Sequence, residues 1–195
     1  MRLALAVISV MAATPALAQN TSAYTDFDLK KCKQLTLETT ETEGDSSGIF
    51  ECAGYKGIPV TFAEDDLRSL VAFGANGQLH CAFQQSFGGF NSVGKNIEWR
   101  LKDGKPIASI FRWTVSYDSE DSSKTKTWLV VTKLEAAQSC HMGYVEGVYP
   151  NANKKARALV DAQASKFSCK TGQPIFIANP GTHTDGIAWA GECAK

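Results

Sequence analysis

The stretch from Ile97 to Leu134 constrains this chain most. It reads as strand, turn, strand, acidic loop and strand: NIEWRLK, then Asp103-Gly104, then KPIASIFRWTVSY, and after the loop TKTWLVVTKL. Asp-Gly between two strand-like runs is the strongest short-range signal for a two-residue hairpin, because both turn positions need φ > 0. Three of the four tryptophans, Trp99, Trp113 and Trp128, fall in this block. It is therefore where the chain can bury most aromatic area per residue. A turn at Asp103-Gly104 sets Lys102 opposite Lys105 and predicts Trp99 opposite Ala108. Ile97, Trp99 and Leu101 would then share a face with Ala108 and Ile110, while Glu98, Arg100 and Lys102 point the other way. Farther along, Phe111, Trp113, Val115 and Tyr117 take the opposite face, and Trp128–Leu134 is apolar on both. Strands apolar on both sides suit a sheet that curls or is covered on both faces. The expected fold is mainly β: a curled antiparallel sheet or sandwich.

The flanking sequence extends that picture. Residues 19–28 are polar and predict a loose lead-in, and Glu41–Ser47 predicts a surface loop. From Gly48 the runs GIFECAG, IPVTFAE and LRSLVAFG read as strands, with Pro59 at the beginning of one of them. Asn76-Gly77 predicts a second hairpin returning as QLHCAF. Ser86–Asn91 places two glycines between Phe87 and Phe90, a bulge or loop with both rings as core plugs, or a loop facing a ligand. After the run HMGYVEGVY, Asn151 or Asn153 can cap a C-terminal helix running to about Ser165. Ala156, Leu159, Val160, Gln163 and Phe167 fall near one face of it, so it is amphipathic and packs on the sheet. PIFIA predicts a last short strand. No repeat and no linker interrupts residues 19–195, which predict a single domain.

The first 18 residues, MRLALAVISVMAATPALA, carry one early positive charge, an apolar run and an A-x-A site before Gln19. That pattern predicts a signal peptide and a periplasmic or secreted protein, with no membrane span after cleavage. Loss of Arg2 leaves nineteen basic against twenty acidic groups, a balance without the long-range field that nucleic acid or an anionic membrane would require. All six cysteines follow the cleavage site and none forms C-x-x-C. In an oxidising compartment an even count predicts three disulfides. The expected pairs are Cys32–Cys52, Cys81–Cys140 and Cys169–Cys193, each joining neighbouring segments.

Few residues are typed for chemistry. His80-Cys81 and Cys140-His141 are mirrored, so a Cys81–Cys140 link on paired antiparallel strands would set His80 opposite His141. Cross-strand neighbours lie roughly 4.5–5.5 Å apart at Cβ, close enough to share a metal ion, although two imidazoles need a third ligand. No cofactor is expected beyond that metal ion. Asp118, Glu120 and Asp121 could offer oxygen ligands to calcium, but without a glycine-turned loop they predict a solvated hairpin loop. Glu64-Asp65-Asp66 could hold a carboxylate pair, but adjacent acids on a turn ordinarily cap and solvate it. Lys154, Lys155 and Arg157 fall in the first turns of the helix, where cations oppose the dipole, and could form a site for an anion or an acidic partner. Phosphate-loop and H-E-x-x-H patterns are absent from the sequence.

Within about residues 50–157, ECAGYKGIPV, DLRSLVAFG, FGGFN, IEWRLKDGKPIASIFRW, VVTKL and CHMGYVEG…PNANKKAR together resemble a family of exported alphaproteobacterial proteins without assigned function. The resemblance implies an exported single-domain protein and carries over no catalytic residue. The expectation is a non-enzymatic periplasmic module that binds a protein or a small envelope ligand, presenting loops such as 86–91 and 118–124. The alternatives are a metal-binding protein or enzyme using His80 and His141, and a structural envelope component.

Overall fold

The computed structural model describes residues 20–39, 46–182 and 188–190. The proposed signal peptide lies outside them. The strands are β1 (Thr21–Asp26), β2 (Lys33–Thr39), β3 (Ser46–Ala53), β4 (Pro59–Asp65), β5 (Arg68–Phe73), β6 (Gln85–Phe87), β7 (Asn91–Lys102), β8 (Lys105–Ser116), β9 (Thr125–Glu135) and β10 (Gln138–Glu146). The helix α1 (Ala152–Gln163) and the strands β11 (Ile175–Ile177) and β12 (Ala188–Ala190) follow. β1-β7-β8-β9-β10-β11 form a six-stranded sheet, β2-β3-β4-β5 a four-stranded one, and β6 pairs with β12. Neither large sheet closes on itself, so the mainly β expectation holds as an open sandwich with one α-helix among the described residues.

The six-stranded sheet is covered on both faces, and side-chain alternation decides what meets what. Ile97, Trp99, Leu101, Phe111, Trp113, Val115, Trp128 and Val130 point inward and form one core with Val60, Phe62, Val71 and Phe73 of the four-stranded sheet. Ala108, Ile110, Leu129, Val131 and Val145 point outward and form a second core with Ala152, Ala156, Leu159 and Val160 of α1. The inner layer is ring-rich: Phe73 meets Trp99 edge-on at 5.5 Å, and Phe87 lies 5.5 Å from Trp113.

The hairpin turn stands where expected, with Asp103 at φ 50° and Gly104 at φ 74° and Lys102 opposite Lys105. Its register then slips. Leu101 faces Pro106 but Arg100 faces Ala108, so Ile107 is an extra residue, a bulge placed beside a proline that has no amide to give to the ladder. Trp99 therefore faces Ser109 rather than Ala108. One residue of slip exchanges faces, and Trp99 joins Phe111 and Trp113 inside while Glu98 and Arg100 turn toward the helix.

Other expectations fare unevenly. Within the expected lead-in, residues 20–28 are not loose: β1 pairs with β7, Ala23 opposite Trp99, and Phe27 is buried 5.4 Å from Phe111 and 5.5 Å from Phe62. Asn76-Gly77 makes no hairpin. A Cβ on Gly77 would lie 2.2 Å from Thr61 Oγ1, so the glycine serves close packing on β4, and two 3-10 turns (Gly77–Leu79 and Cys81–Gln84) follow. The β4–β5 hairpin instead turns at Asp66-Leu67, both with positive φ (45° and 58°).

Cys32–Cys52 forms as expected. The second observed link is Cys140–Cys169, which overturns both Cys81–Cys140 and Cys169–Cys193. Cys81 sits in a 3-10 turn and has no strand register, while Cys140 faces Lys133 of β9. Cys81 is itself disulfide-bonded, and Cys193 lies outside the described residues. The Cys140–Cys169 link spans 29 residues and brackets α1. In the chain-entropy account it contributes roughly 3–4 kcal/mol, less any native strain. No helix among the described residues is long and apolar enough to cross a membrane.

Candidate functional site

A cleft of about 640 Å³ opens between the β6–β7 loop and the β8–β9 loop. These are the two loops singled out in the sequence, and the fold brings them together at one end of the sandwich. Asn91, 6% exposed, builds the first. Its Oδ1 accepts from Ser69 N at 2.9 Å, and its Nδ2 donates to Gly89 O at 2.9 Å and to Ser86 Oγ at 3.3 Å. Phe90 O accepts from Ser116 N at 2.8 Å, and a Cβ on Gly89 would lie 2.1 Å from Ser116 O. Only glycine lets the loop lie this close against β8. Phe87 is the expected core plug, 0% exposed, but Phe90 is 42% exposed at the rim.

Asp118 builds the second loop. Its Oδ1 accepts from Glu120 N and Asp121 N at 2.9 and 3.2 Å, and its Oδ2 from Lys124 Nζ at 2.7 Å. The bond from Lys124, then those from the backbone, hold this carboxyl below the usual carboxylate range. The acids of YDSEDSSK thus make the turn, and no group of three or more metal-ligating residues occurs among the described residues. Asp66, of the Glu64-Asp65-Asp66 run, is likewise occupied, pairing with Arg68 at the β4–β5 turn.

The cleft wall combines rings, glycine backbone and two cations. Phe90, Tyr117, Val115 and Trp128 line it together with Arg68 and Lys126. The Arg68 guanidinium lies 5.5 Å from the Phe90 ring centroid, and Lys126 Nζ lies 5.3 Å from that of Tyr117. Arg68 Nε donates to Gly88 O at 3.0 Å and Nη1 to Asp66, while among the described residues Nη2 makes no hydrogen bond. Lys126 Nζ has Glu146 Oε1 at 3.7 Å. Glu146 is only 3% exposed, and its Oε2 is occupied by Asn179 N, Asn179 Nδ2 and Thr182 Oγ1 at 2.8, 3.0 and 3.1 Å. Neither Asp66 nor Glu146 lines the cleft.

The sequence-predicted site residues lie elsewhere. His80 is buried with Nδ1 3.0 Å from Ser139 Oγ, which also accepts from Phe73 N at 3.1 Å. Burial lowers its pKa, and hydrogen bonds to the Ala75 and Phe73 backbone oppose that shift. His141 is 1% exposed, pairs with Thr132 in register, and holds Tyr144 Oη at 2.8 Å from Nδ1. Its Nε2 has no hydrogen-bond partner among the described residues. Burial pushes its pKa down to about 3 and that of Tyr144 up. The register that was to set the two histidines opposite one another is not formed.

The three basic helix residues also separate. Arg157 Nε donates to Glu98 Oε1 at 2.6 Å, and Nη2 donates to Glu98 Oε2 at 3.1 Å and Tyr24 Oη at 2.9 Å. Lys155 lies over the Tyr149 ring at 5.9 Å, and Lys154 is exposed. Sequence reasoning missed Arg68 and Lys126 altogether. Each stands at one end of a strand, an ordinary place for a solvated charge, and only the loop crossing makes them neighbours of a cavity. The chain matches no known protein-family model, no curated protein and no solved structure.

Proposed function

We propose that this protein is an exported, non-enzymatic binding module whose ligand site is the cleft between residues 88–90 and 117–124. The observation that carries the reading is that two loops, each fastened by its own buried or ion-paired side chain, enclose a mostly apolar cavity of about 640 Å³ edged by convergent polar groups. That size and lining are those of a small-molecule site. Paired cysteines support an oxidising compartment outside the cytoplasm. Ser139 and His80 form a hydroxyl–imidazole pair, but Ser139 is 0% exposed and does not line this cleft.

The test is native mass spectrometry and NMR of the protein exposed to an envelope extract, with Ser122→Trp as the plugged variant. Ser122 is exposed and lines the cleft, so the plug leaves the fold intact. A small molecule retained by wild type and released by Ser122→Trp supports the reading. Retention equal in both, or no shift of the Phe90 and Tyr117 resonances by any extract fraction, refutes it.

A further inference from the structure

Resting on the cleft as the ligand site, we propose what kind of molecule it takes: a free amphiphilic anion, with an aryl or acyl body and a carboxylate or similar acidic head. The chemistry of the wall selects for both parts. The apolar part of the wall is built from Phe90, Val115, Tyr117 and Trp128. Two of these rings are kept open to solvent at some cost, Phe90 at 42% and Tyr117 at 59% exposure, whereas Phe87 in the same loop is fully buried. An apolar body laid against them removes that surface from water.

The head is selected by charge. Arg68 and Lys126 line the cleft, while their counter-charges do not: Asp66 is on the β4–β5 turn, and Glu146 is buried behind Lys126 and occupied by Asn179 and Thr182. Among the described residues the one carboxylate in the lining, Asp118, is held by Lys124 and two backbone amides. The cleft therefore presents cationic donors that are incompletely used and a carboxylate that is fully used. An acidic head meets Nη2 of Arg68 and Nζ of Lys126 in charge-assisted hydrogen bonds, the stronger class of such bonds. A cationic head meets two like charges. Each cation already rests on a ring, so the ring that receives the body also fixes the donor that receives the head. The occupant is a free molecule and not a bilayer, because the cleft is a bounded cavity between loops and the protein's charges balance overall.

Two dyes with the same apolar body separate the terms: 1-anilinonaphthalene-8-sulfonate, which is anionic, and N-phenyl-1-naphthylamine, which is neutral. The expected result is stoichiometric binding of the anionic dye at least tenfold tighter than the neutral one. Lys126→Gln and Arg68→Gln should each bring the anionic dye toward the neutral dye's affinity, and Ser122→Trp should abolish both. Raising salt on the wild type, which needs no variant to fold, should weaken the anionic dye alone. Dodecanoate should displace the anionic dye, and dodecyltrimethylammonium should not. If both dyes bind equally and both are lost in Ser122→Trp, the cleft is a ligand site but the anion preference is wrong. If Ser122→Trp leaves both dyes bound, the cleft reading itself fails with it. Equal displacement by vesicles of anionic lipid and by free dodecanoate would overturn the free-molecule assignment.

Discussion

Two arginine-containing clusters in this protein carry the same charge and are built in opposite ways. At the seam between α1 and the six-stranded sheet, Arg157 grips Glu98 with two nitrogens, and Arg100 grips Asp161 from Nε and Nη2 at 2.8 and 2.5 Å. Ser22 Oγ adds a bond to Glu98 at 2.6 Å, and Arg100 Nη1 donates to Ser22. Here the acid lies opposite the base, in fork geometry, and the cluster ties β1, β7 and α1 together. At the cleft the acids lie beside or behind the bases, and the faces of Arg68 and Lys126 are given to rings. A cation's neighbours in sequence do not tell which case applies. The position of its counter-charge does.

The comparison breaks most visibly in stability. Arg157→Ala leaves Glu98, 6% exposed, without its main partner. Urea unfolding should show a loss of roughly 2–4 kcal/mol, the cost of leaving a buried carboxylate uncompensated, discounted because Arg157 itself is about a third exposed. Cleft affinity should stay within about twofold. An equal loss in Lys126→Ala would mean that the two clusters do not differ in kind.

Acid provides the next largest effect and separates the core from the Arg100–Asp161 pair. His141 has a folded pKa of about 3, against 6.5 for an unperturbed histidine. As pH falls below about 6.5 the unfolded chain takes up a proton that the fold refuses, and stability drops by up to ~1.4 kcal/mol per pH unit until the folded pKa is reached. His80, also lowered, acts in the same direction. Between pH 7 and 4.5 the loss should be roughly 2–3 kcal/mol, with a shallower slope in His141→Gln. Asp161, held low chiefly by Arg100, gives up its contribution only below the ordinary carboxylate range, so the Arg100–Asp161 pair remains charged over this window. An unchanged slope in His141→Gln would remove the histidine from the acid response.

The smallest effect sharpens the contrast from the cleft side. Tyr117→Ser removes a ring that is 59% exposed, so the melting temperature should move by no more than the equivalent of about 0.5 kcal/mol. Affinity for the anilinonaphthalene dye should nevertheless fall severalfold. A large stability loss would make Tyr117 a core residue rather than part of a ligand wall.

The sequence carried local signals well and distant ones poorly. Asp103-Gly104 needs only its own φ preferences and was legible, as was the apolar stripe of α1. The FGGFN loop and the acidic YDSEDSSK loop were legible as departures from strand pattern. The bulge at Ile107 was not, because a single proline beside a turn does not announce which ladder bond is lost, and with it went the direction of Glu98 and Arg100. That same slip is why Arg157 looked available: Glu98 was expected on the face away from Ala108 and Ile110, and the helix packs against those two residues. β1 was missed because an edge strand exposes most of its length and is polar there. Cys140–Cys169 was missed because taking the cysteines two by two along the chain assigns Cys140 to Cys81, and no local pattern shows that the segment after the helix folds Cys169 back against the sheet. The cleft depends on two loops separated by most of β7 and β8, and no local pattern encodes their meeting.

The bulge at Ile107 also bears on how such a chain can change over generations. Beyond it, Arg100 faces Ala108 and Trp99 faces Ser109. Loss of the single codon for residue 107 would close the ladder directly from the Leu101–Pro106 pair onto the Arg100–Ala108 pair, with every later partner kept. Both cores would keep their buried side chains, and the half-buried Ile107, packed against the helix-side core, would go together with the local bend. Loss of a codon farther along β8, among those for residues 109–112, would instead turn the rest of the strand over, sending Trp113 toward the helix. Within β8 the ladder to β7 thus has one place where a residue is extra and a long stretch where none is. Lineages descended from such a chain should differ by single residues beside the turn, and a change of length deeper in β8 should mark one that has rebuilt both cores together.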